Sequence, residues 1–200
     1  MIDLFLELGR LKDVKRFGEY HPIFHETVAE HTFHMAIIAD RLFDELDLGD
    51  LDYRRVMKLI FYHDVCELGM KCDFDGMTAD NNSDYKAQKT RAEDATIKSL
   101  AKKHGRYIID LHKEYKTQKT EEAKFVKALD KLQCFVHELD HGAGFSQSTP
   151  EQLEYVATWA TKHIQNFPRL KPLYLDLQKR LKKLFESQNF YWTDDWFIKY

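Results

Sequence analysis

Cysteine, proline and glycine are scarce in this chain of 200 residues, which holds 3, 4 and 8 of them. The three cysteines, Cys66, Cys72 and Cys134, are odd in number. Their spacings match no zinc ribbon and imply no disulfide framework, so a reducing cytoplasm is the expected setting. Three of the four prolines lie beyond position 149, and with few breakers the long Leu-, Lys-, Glu- and Ala-rich stretches read as helix. No apolar run approaches the ~18 residues that a membrane span needs. The N-terminal residues show no basic segment followed by an apolar core, so no signal peptide and no membrane association are expected. Charge of one sign is also lacking. The formal net charge is −3, and the basic run Lys12 to Arg16 is too local to form a duplex-binding surface, so no nucleic-acid partner is expected.

What is present is an ordinary globular composition, 44% hydrophobic and 32% charged, with a length that suits one domain, residues 1–200. Helical periodicity recurs along it and no alternating strand pattern competes, so the fold class is all-α. The expected helices run from Ile2 to Val14, from the Thr27–Glu30 capping box to Leu46, and from Tyr53 to Leu68. Further helices are expected from Asp84 to Lys103, Tyr107 to Tyr115 and Glu121 to His141. Another follows Thr149-Pro150 until Pro168 breaks it, and a last one reaches Glu186. Gly69 to Ser83, rich in Asp, Asn and Gly, reads as a loop long enough to suspect function. The tail from Phe185 to Tyr200 carries Phe190, Tyr191, Trp192, Trp196 and Phe197. That much aromatic surface must be buried, in the core or against another copy in a homo-oligomer.

The informative residues are polar groups set inside apolar helical faces. His63-Asp64 lies within Leu59-Ile60-Phe61-Tyr62-His63-Asp64-Val65, and Asp130 within Phe125-Val126-Lys127-Ala128-Leu129-Asp130. A carboxylate in such a face is costly unless it is paired or bound to metal. His31 follows the capping box and shares a face with Met35 and Ile38. Two histidines and two carboxylates suit Zn²⁺, Mn²⁺, Co²⁺ or Fe²⁺ with open positions. Taken singly, His31 is also a core histidine, and Asp130 also a partner for Lys127 or Lys131 on its own helix.

Four motifs in order carry a resemblance to a known family. They are Leu11-Lys12-Asp13-Val14-Lys15-Arg16-Phe17, Thr27-Val28-Ala29-Glu30-His31, Tyr62-His63-Asp64-Val65-Cys66-Glu67, and Glu122 to Asp130. Over residues 4 to 145 the chain resembles the HD superfamily of metal-dependent phosphohydrolases. Within it, the likeness is to bacterial 5′-deoxynucleotidases and phage dATP triphosphohydrolases. The resemblance implies an all-helical HD bundle in which His31, His63, Asp64 and Asp130 hold a divalent ion, with Mg²⁺ a further candidate beside the substrate phosphates. It implies a catalytic role for Glu67, acting with Asp64 on water and protons. It places Arg16 and Phe17 against phosphate and sugar or base, Phe17 standing where a compared relative has Trp. The family's loop aspartate falls at Cys72 here, and Asp73 is one residue further on. Lys86, with Lys71, Lys89 and Arg91, is the candidate cation for a polyphosphate, set against the plainer role of a solvated face.

The expected function is hydrolysis of the 5′ phosphoester of a deoxyribonucleotide. Phosphate would leave a monophosphate, or tripolyphosphate would leave a substrate such as dATP. Two alternatives stay open: a non-catalytic metal- and nucleotide-binding sensor, and a phosphodiesterase acting on a cyclic nucleotide or alarmone.

Overall fold

In the computed structural model, which describes residues 1–16, 26–70, 76–141 and 149–199, the first helix, α1, covers Ile2–Leu8 and tightens into a 3-10 segment over Gly9–Asp13. The single helix expected over this stretch is therefore shorter. Gly9 favours an early end, because glycine loses more backbone freedom in a helix than other residues. Leu11, in the 3-10 segment, is buried, whereas Phe5 on α1 is exposed.

The helices that follow are α2 (Val28–Glu45), α3 (Tyr53–Tyr62), α4 (Gly76–Asn81), α5 (Ser83–His104), α6 (Tyr107–Thr117), α7 (Glu121–His141), α8 (Pro150–Thr158), α9 (Thr161–Asn166) and α10 (Lys171–Ser187). No strand forms among the described residues, in keeping with the all-α expectation. The helix α4 corrects the reading of Gly69 to Ser83 as continuous loop. Residues 71–75 lie outside the described part of the chain.

Local chemistry accounts for the main boundaries. Thr27 Oγ1 accepts the Glu30 N–H at 3.2 Å, and Glu30 Oε2 accepts the Thr27 N–H at 2.7 Å, completing the capping box that opens α2. Asp52 caps α3 by accepting the Arg55 N–H at 3.1 Å. Pro150 sits in the first turn of α8 behind a second capping box, Thr149 with Gln152. The single helix expected up to Pro168 is two, α8 and α9, parted at Trp159 and Ala160, and the break at Pro168 is a 3-10 turn, Pro168–Leu170, before α10.

The chain falls into two compact units, Met1–Ala123 and Lys124–Tyr200. In the first, Leu11, Val14, Val28, Val65, Cys66, Ile97, Leu100 and Ile108 form a buried apolar cluster. It draws the start of α2, the chain after α3, α5 and α6 together. Arg55 pairs with Glu114 between α3 and α6. Glu7 binds Lys103 at 2.7 Å and His104 at 2.6 Å, tying α1 to the end of α5.

In the second unit Phe125 meets Phe167, and Phe135 meets Tyr174 edge-on at 5.2 Å. The aromatic tail packs within this unit. Phe185 contacts Phe190 and Trp192, while Trp192 contacts Trp196 and Phe197. Gln178, fully buried on α10, holds the tail in place. Its Nε2 donates to the carbonyls of Ala157 and Trp196, and its Oε1 accepts the Ile198 N–H at 2.9 Å. Phe185 and Trp196 are buried within this unit, whereas Tyr191 is exposed, so the expected burial of the whole aromatic tail holds only in part. No helix among the described residues is long and apolar enough to cross a membrane.

Candidate metal centre

His31 stands on the inward line of α2, with Val28, Met35, Ala39 and Leu42. The spacing follows one helical face, so the helix delivers the imidazole into the interior. Val56, Leu59 and Ile60 do the same for α3 and lead to His63. Here the structure corrects the expected helix from Tyr53 to Leu68. The α-helix ends at Tyr62, and a 3-10 segment covers Val65–Gly69. Asp64 leaves helical geometry at φ −108°, ψ 14°, and its carbonyl accepts the Glu67 N–H at 3.0 Å. The turn lies close to α5. A Cβ on Gly69 would come within 2.2 Å of Thr96 Oγ1, so only glycine suits that contact.

His31 and His63 are both buried, with Nε2 atoms 3.3 Å apart. His63 Nδ1 lies 2.7 Å from the carbonyl of Ile60. A carbonyl can only accept, so Nδ1 carries a proton there. Nε2 then faces Asp64 Oδ2 at 2.9 Å, and His31 Nε2 stands 3.9 Å from the same oxygen. A ring nitrogen and a carboxylate oxygen that close need a proton or a cation between them. Tyr115 packs edge-on to His63, with centroids 5.3 Å apart.

Glu67 is buried two residues into the 3-10 turn, which excludes its reading as a surface residue at a helix end. Beside it, burial pushes the Cys66 thiol well up, and the Glu67 and Asp64 carboxylates push the same way. Cys66 therefore stays a protonated core thiol and not a nucleophile.

Arg16, which the resemblance sets against phosphate, is buried, with Nη1 2.5 Å from Glu26 Oε2 and 2.7 Å from His31 Nδ1. Asp130 is buried on α7 in the second unit, and both alternative partners are present: Lys127 Nζ at 3.2 Å and Lys131 Nζ at 3.1 Å. Lys86 lies exposed on α5, 3.9 Å from Asp80, which is the solvated face. Phe17 and Asp73 lie outside the described residues, as does Lys71.

Several residues of this region escaped sequence reasoning. Glu26 is one, since nothing in its local pattern separates it from other acidic residues before a helix. Another group sits on α5 and α6. Glu93 is buried and accepts from Lys116 at 2.5 Å. His112 is also buried and has no hydrogen-bond partner at Nδ1 among the described residues. Burial lowers its pKa and Lys116 adds to this, while Glu93, Asp94 and Asp64 oppose it.

Imidazole nitrogen and carboxylate oxygen suit a divalent ion of the Zn²⁺, Mn²⁺ or Fe²⁺ kind. Among the described residues, His31 and His63 in the first unit and Asp130 in the second offer such atoms in buried positions. An all-helical chain with facing buried histidines beside carboxylates is the class that fold and site define. A family model described as "HD domain" matches residues 8–171. The 5′-deoxynucleotidase HDDC2 of Danio rerio is 34% identical over 154 residues, 72% of this chain and 72% of that protein. Its Homo sapiens counterpart is 32% identical over 152 residues, 70% of each. The solved structure of the PH0347 protein from Pyrococcus horikoshii OT3 shares the fold. Its TM-score is 0.68 at 23% identity, covering 92% of this chain and 99% of that one. The chain belongs to the HD domain family.

Proposed function

We propose that this protein is a metal-dependent hydrolase that removes the 5′ phosphate from deoxyribonucleoside monophosphates. The observation that carries the reading is the facing pair of buried imidazoles, His31 and His63, with Asp64 beside them and Glu67 one 3-10 turn on. The names of the HDDC2 relatives support the substrate class. His31, His63, Asp64 and Asp130 would hold the ion. Bound there, a divalent metal polarises the phosphoryl oxygen and lowers the pKa of a coordinated water towards ~7.

The chain's own groups do the rest. Asp64 orients the attacking water. Glu67, shielded from solvent, takes a proton from that water or returns one to the leaving 5′ oxygen. Arg16 supplies positive charge to the phosphate once it is released from its partners. A buried Glu67 argues for catalysis over the sensor alternative. Lys86 gives the triphosphate alternative no support, because it lies on an exposed face. A reducing, cytoplasmic setting stays part of the proposal, supported by the odd number and the spacing of the three cysteines. Assembly into a homo-oligomer stays part of the proposal, without the tail as its reason.

The test is to load the protein with Co²⁺, Mn²⁺ or Zn²⁺, incubate it with each dNMP, NMP and dNTP, and identify products by chromatography. Orthophosphate and deoxynucleoside from dNMPs, with poor turnover of the ribonucleotides, is the expected result. No phosphate release from any nucleotide would end the enzymatic reading. Tripolyphosphate as the main product would replace it with the triphosphohydrolase. Equal kcat/KM for AMP and dAMP would remove the deoxyribose preference and leave the hydrolase.

A further inference from the structure

The solvent face of α1 is apolar. Ile2, Phe5 and Leu6 share one side of the helix and are 72%, 61% and 66% exposed. Leu4, Glu7 and Leu8 turn the other way and are half-buried. Leu8 packs against the apolar cluster of the first unit, and Glu7 pairs with Lys103 and His104 at the end of α5. The inner side therefore holds α1 on the body of the unit, and Asp3 stands exposed at the edge of the outer one. A surface helix that packs only within its own chain turns its polar side to water. Here the outward side is the apolar one.

Exposed cations lie next to it. Arg10 and Lys12 follow in the 3-10 segment, and Lys102 and Lys103 stand in the last turn of α5, which Glu7 holds beside α1. Arg10, Lys12 and Lys102 make no ion pair among the described residues. Asp3 and Asp13 are the exposed acids of residues 1–15, so the cations prevail. The three apolar side chains are few against the ~20–30 residues that each partner gives to a stable protein interface. A second copy would also bring the same cations onto this rim, like charge onto like. An anionic lipid surface asks for less: a few apolar side chains at the headgroup boundary, with cations beside them for the headgroups. A helix lying flat there needs neither the signal peptide nor the spanning length whose lack set the expectation of no membrane association.

We propose that α1 and the cations beside it form a docking surface for an anionic phospholipid bilayer. Ile2, Phe5 and Leu6 enter the boundary between headgroups and acyl chains. Arg10, Lys12 and Lys102 stay outside with the headgroup anions, their stems lying along the apolar side chains. Each half is weak alone, so attachment depends on both the charge of the lipid and the ionic strength. Nothing in this surface draws on the metal centre, and it stands whatever reaction the chain catalyses.

Co-sedimentation of the full chain with vesicles tests this, using phosphatidylcholine alone and phosphatidylcholine enriched in phosphatidylserine. Wild type is expected to sediment with the phosphatidylserine vesicles at low salt and to be released as salt is raised. Phe5→Ser combined with Leu6→Ser should weaken partitioning ~10-fold or more through lost apolar contact. Lys12→Glu combined with Lys102→Glu should weaken it by a similar factor through charge, and these exposed positions leave the core untouched. Phe5→Trp adds a reading that removes no apolar contact: its fluorescence should shift to the blue on phosphatidylserine vesicles by more than that of wild type. No sedimentation of wild type with phosphatidylserine vesicles, equal sedimentation with both vesicle types, or wild-type partitioning in either double variant would overturn the proposal. So would light scattering that shows a wild-type dimer which Phe5→Ser with Leu6→Ser splits, because the face would then belong to a second copy.

Discussion

Lys116 on α6 donates to Glu93 on α5 at 2.5 Å, and Glu93 is almost entirely buried while Lys116 is partly open to solvent. The pair joins two helices that flank the turn bearing Glu67. Its asymmetry sets the outcome of breaking it. Removing the lysine leaves a buried carboxylate without its charge partner, whereas neutralising both leaves nothing uncompensated. Lys116→Met should lower stability by about 1–3 kcal/mol in urea unfolding. Lys116→Met combined with Glu93→Gln should recover much of that. A Lys116→Met variant as stable as wild type would mean that the pair contributes nothing.

His112 gives the protein a pH dependence of defined sign. Its folded pKa is lowered, chiefly by burial, against about 6.5 in the unfolded chain. Below that value the unfolded state binds the proton first, so unfolding gains as pH falls until the folded pKa is reached. Stability of the metal-free chain should therefore fall as pH drops below about 6.5. His112→Asn should flatten that slope, measured as the unfolding midpoint at a series of pH values. An unchanged slope in the variant would assign the dependence to other groups.

How far the sequence reveals this molecule depends on whether a position obeys a local rule. His31 was legible because Val28, His31, Met35, Ala39 and Leu42 share one helical face. The capping box at Thr27 was legible because it needs only two residues three apart. The turn after His63 was not, since its pattern of Val65, Cys66 and Leu68 fits a continued helix equally well. The 3-10 turn that replaces it packs against α5, where Gly69 closely approaches Thr96, a tertiary contact that no local pattern reports. The contact of Arg16 with Glu26 and His31 was hidden for a related reason. It arises from backbone pairing of two segments that carry no periodicity. The Asn- and Gly-rich stretch that forms α4 misled because its composition is that of a turn. The tail aromatics demanded burial, but no pattern says whether one chain or two provide it.

Glu67 is expected to act on chemistry alone. The 3-10 turn holds it behind Asp64 with its backbone bonded to the Asp64 carbonyl, so an isosteric change should leave both fold and ion in place. Glu67→Gln should retain wild-type metal content by elemental analysis, while kcat for dAMP falls ~10²-fold or more, the scale of a lost acid–base group. Loss of metal along with activity would move Glu67 into the ligand set. Near-normal turnover would remove it from the mechanism.

The last prediction separates monophosphate from triphosphate hydrolysis by a single surface cation. A triphosphate carries charge on its β and γ groups that the protein must offset, and Lys86 is the candidate that the sequence offers. Its side chain is 64% exposed and lies beside Asp80 at 3.9 Å. At that exposure, solvent and salt screen a lysine's pull on any anion. If dNMPs are the substrates, Lys86→Ala should leave kcat/KM for dAMP within about twofold of wild type, because an exposed charge of this kind contributes ~0–1 kcal/mol. Turnover of dATP, if it occurs at all, should show the same indifference. A selective loss of dATP hydrolysis in Lys86→Ala would show instead that this face of α5 closes on a polyphosphate, and would revive the triphosphohydrolase reading.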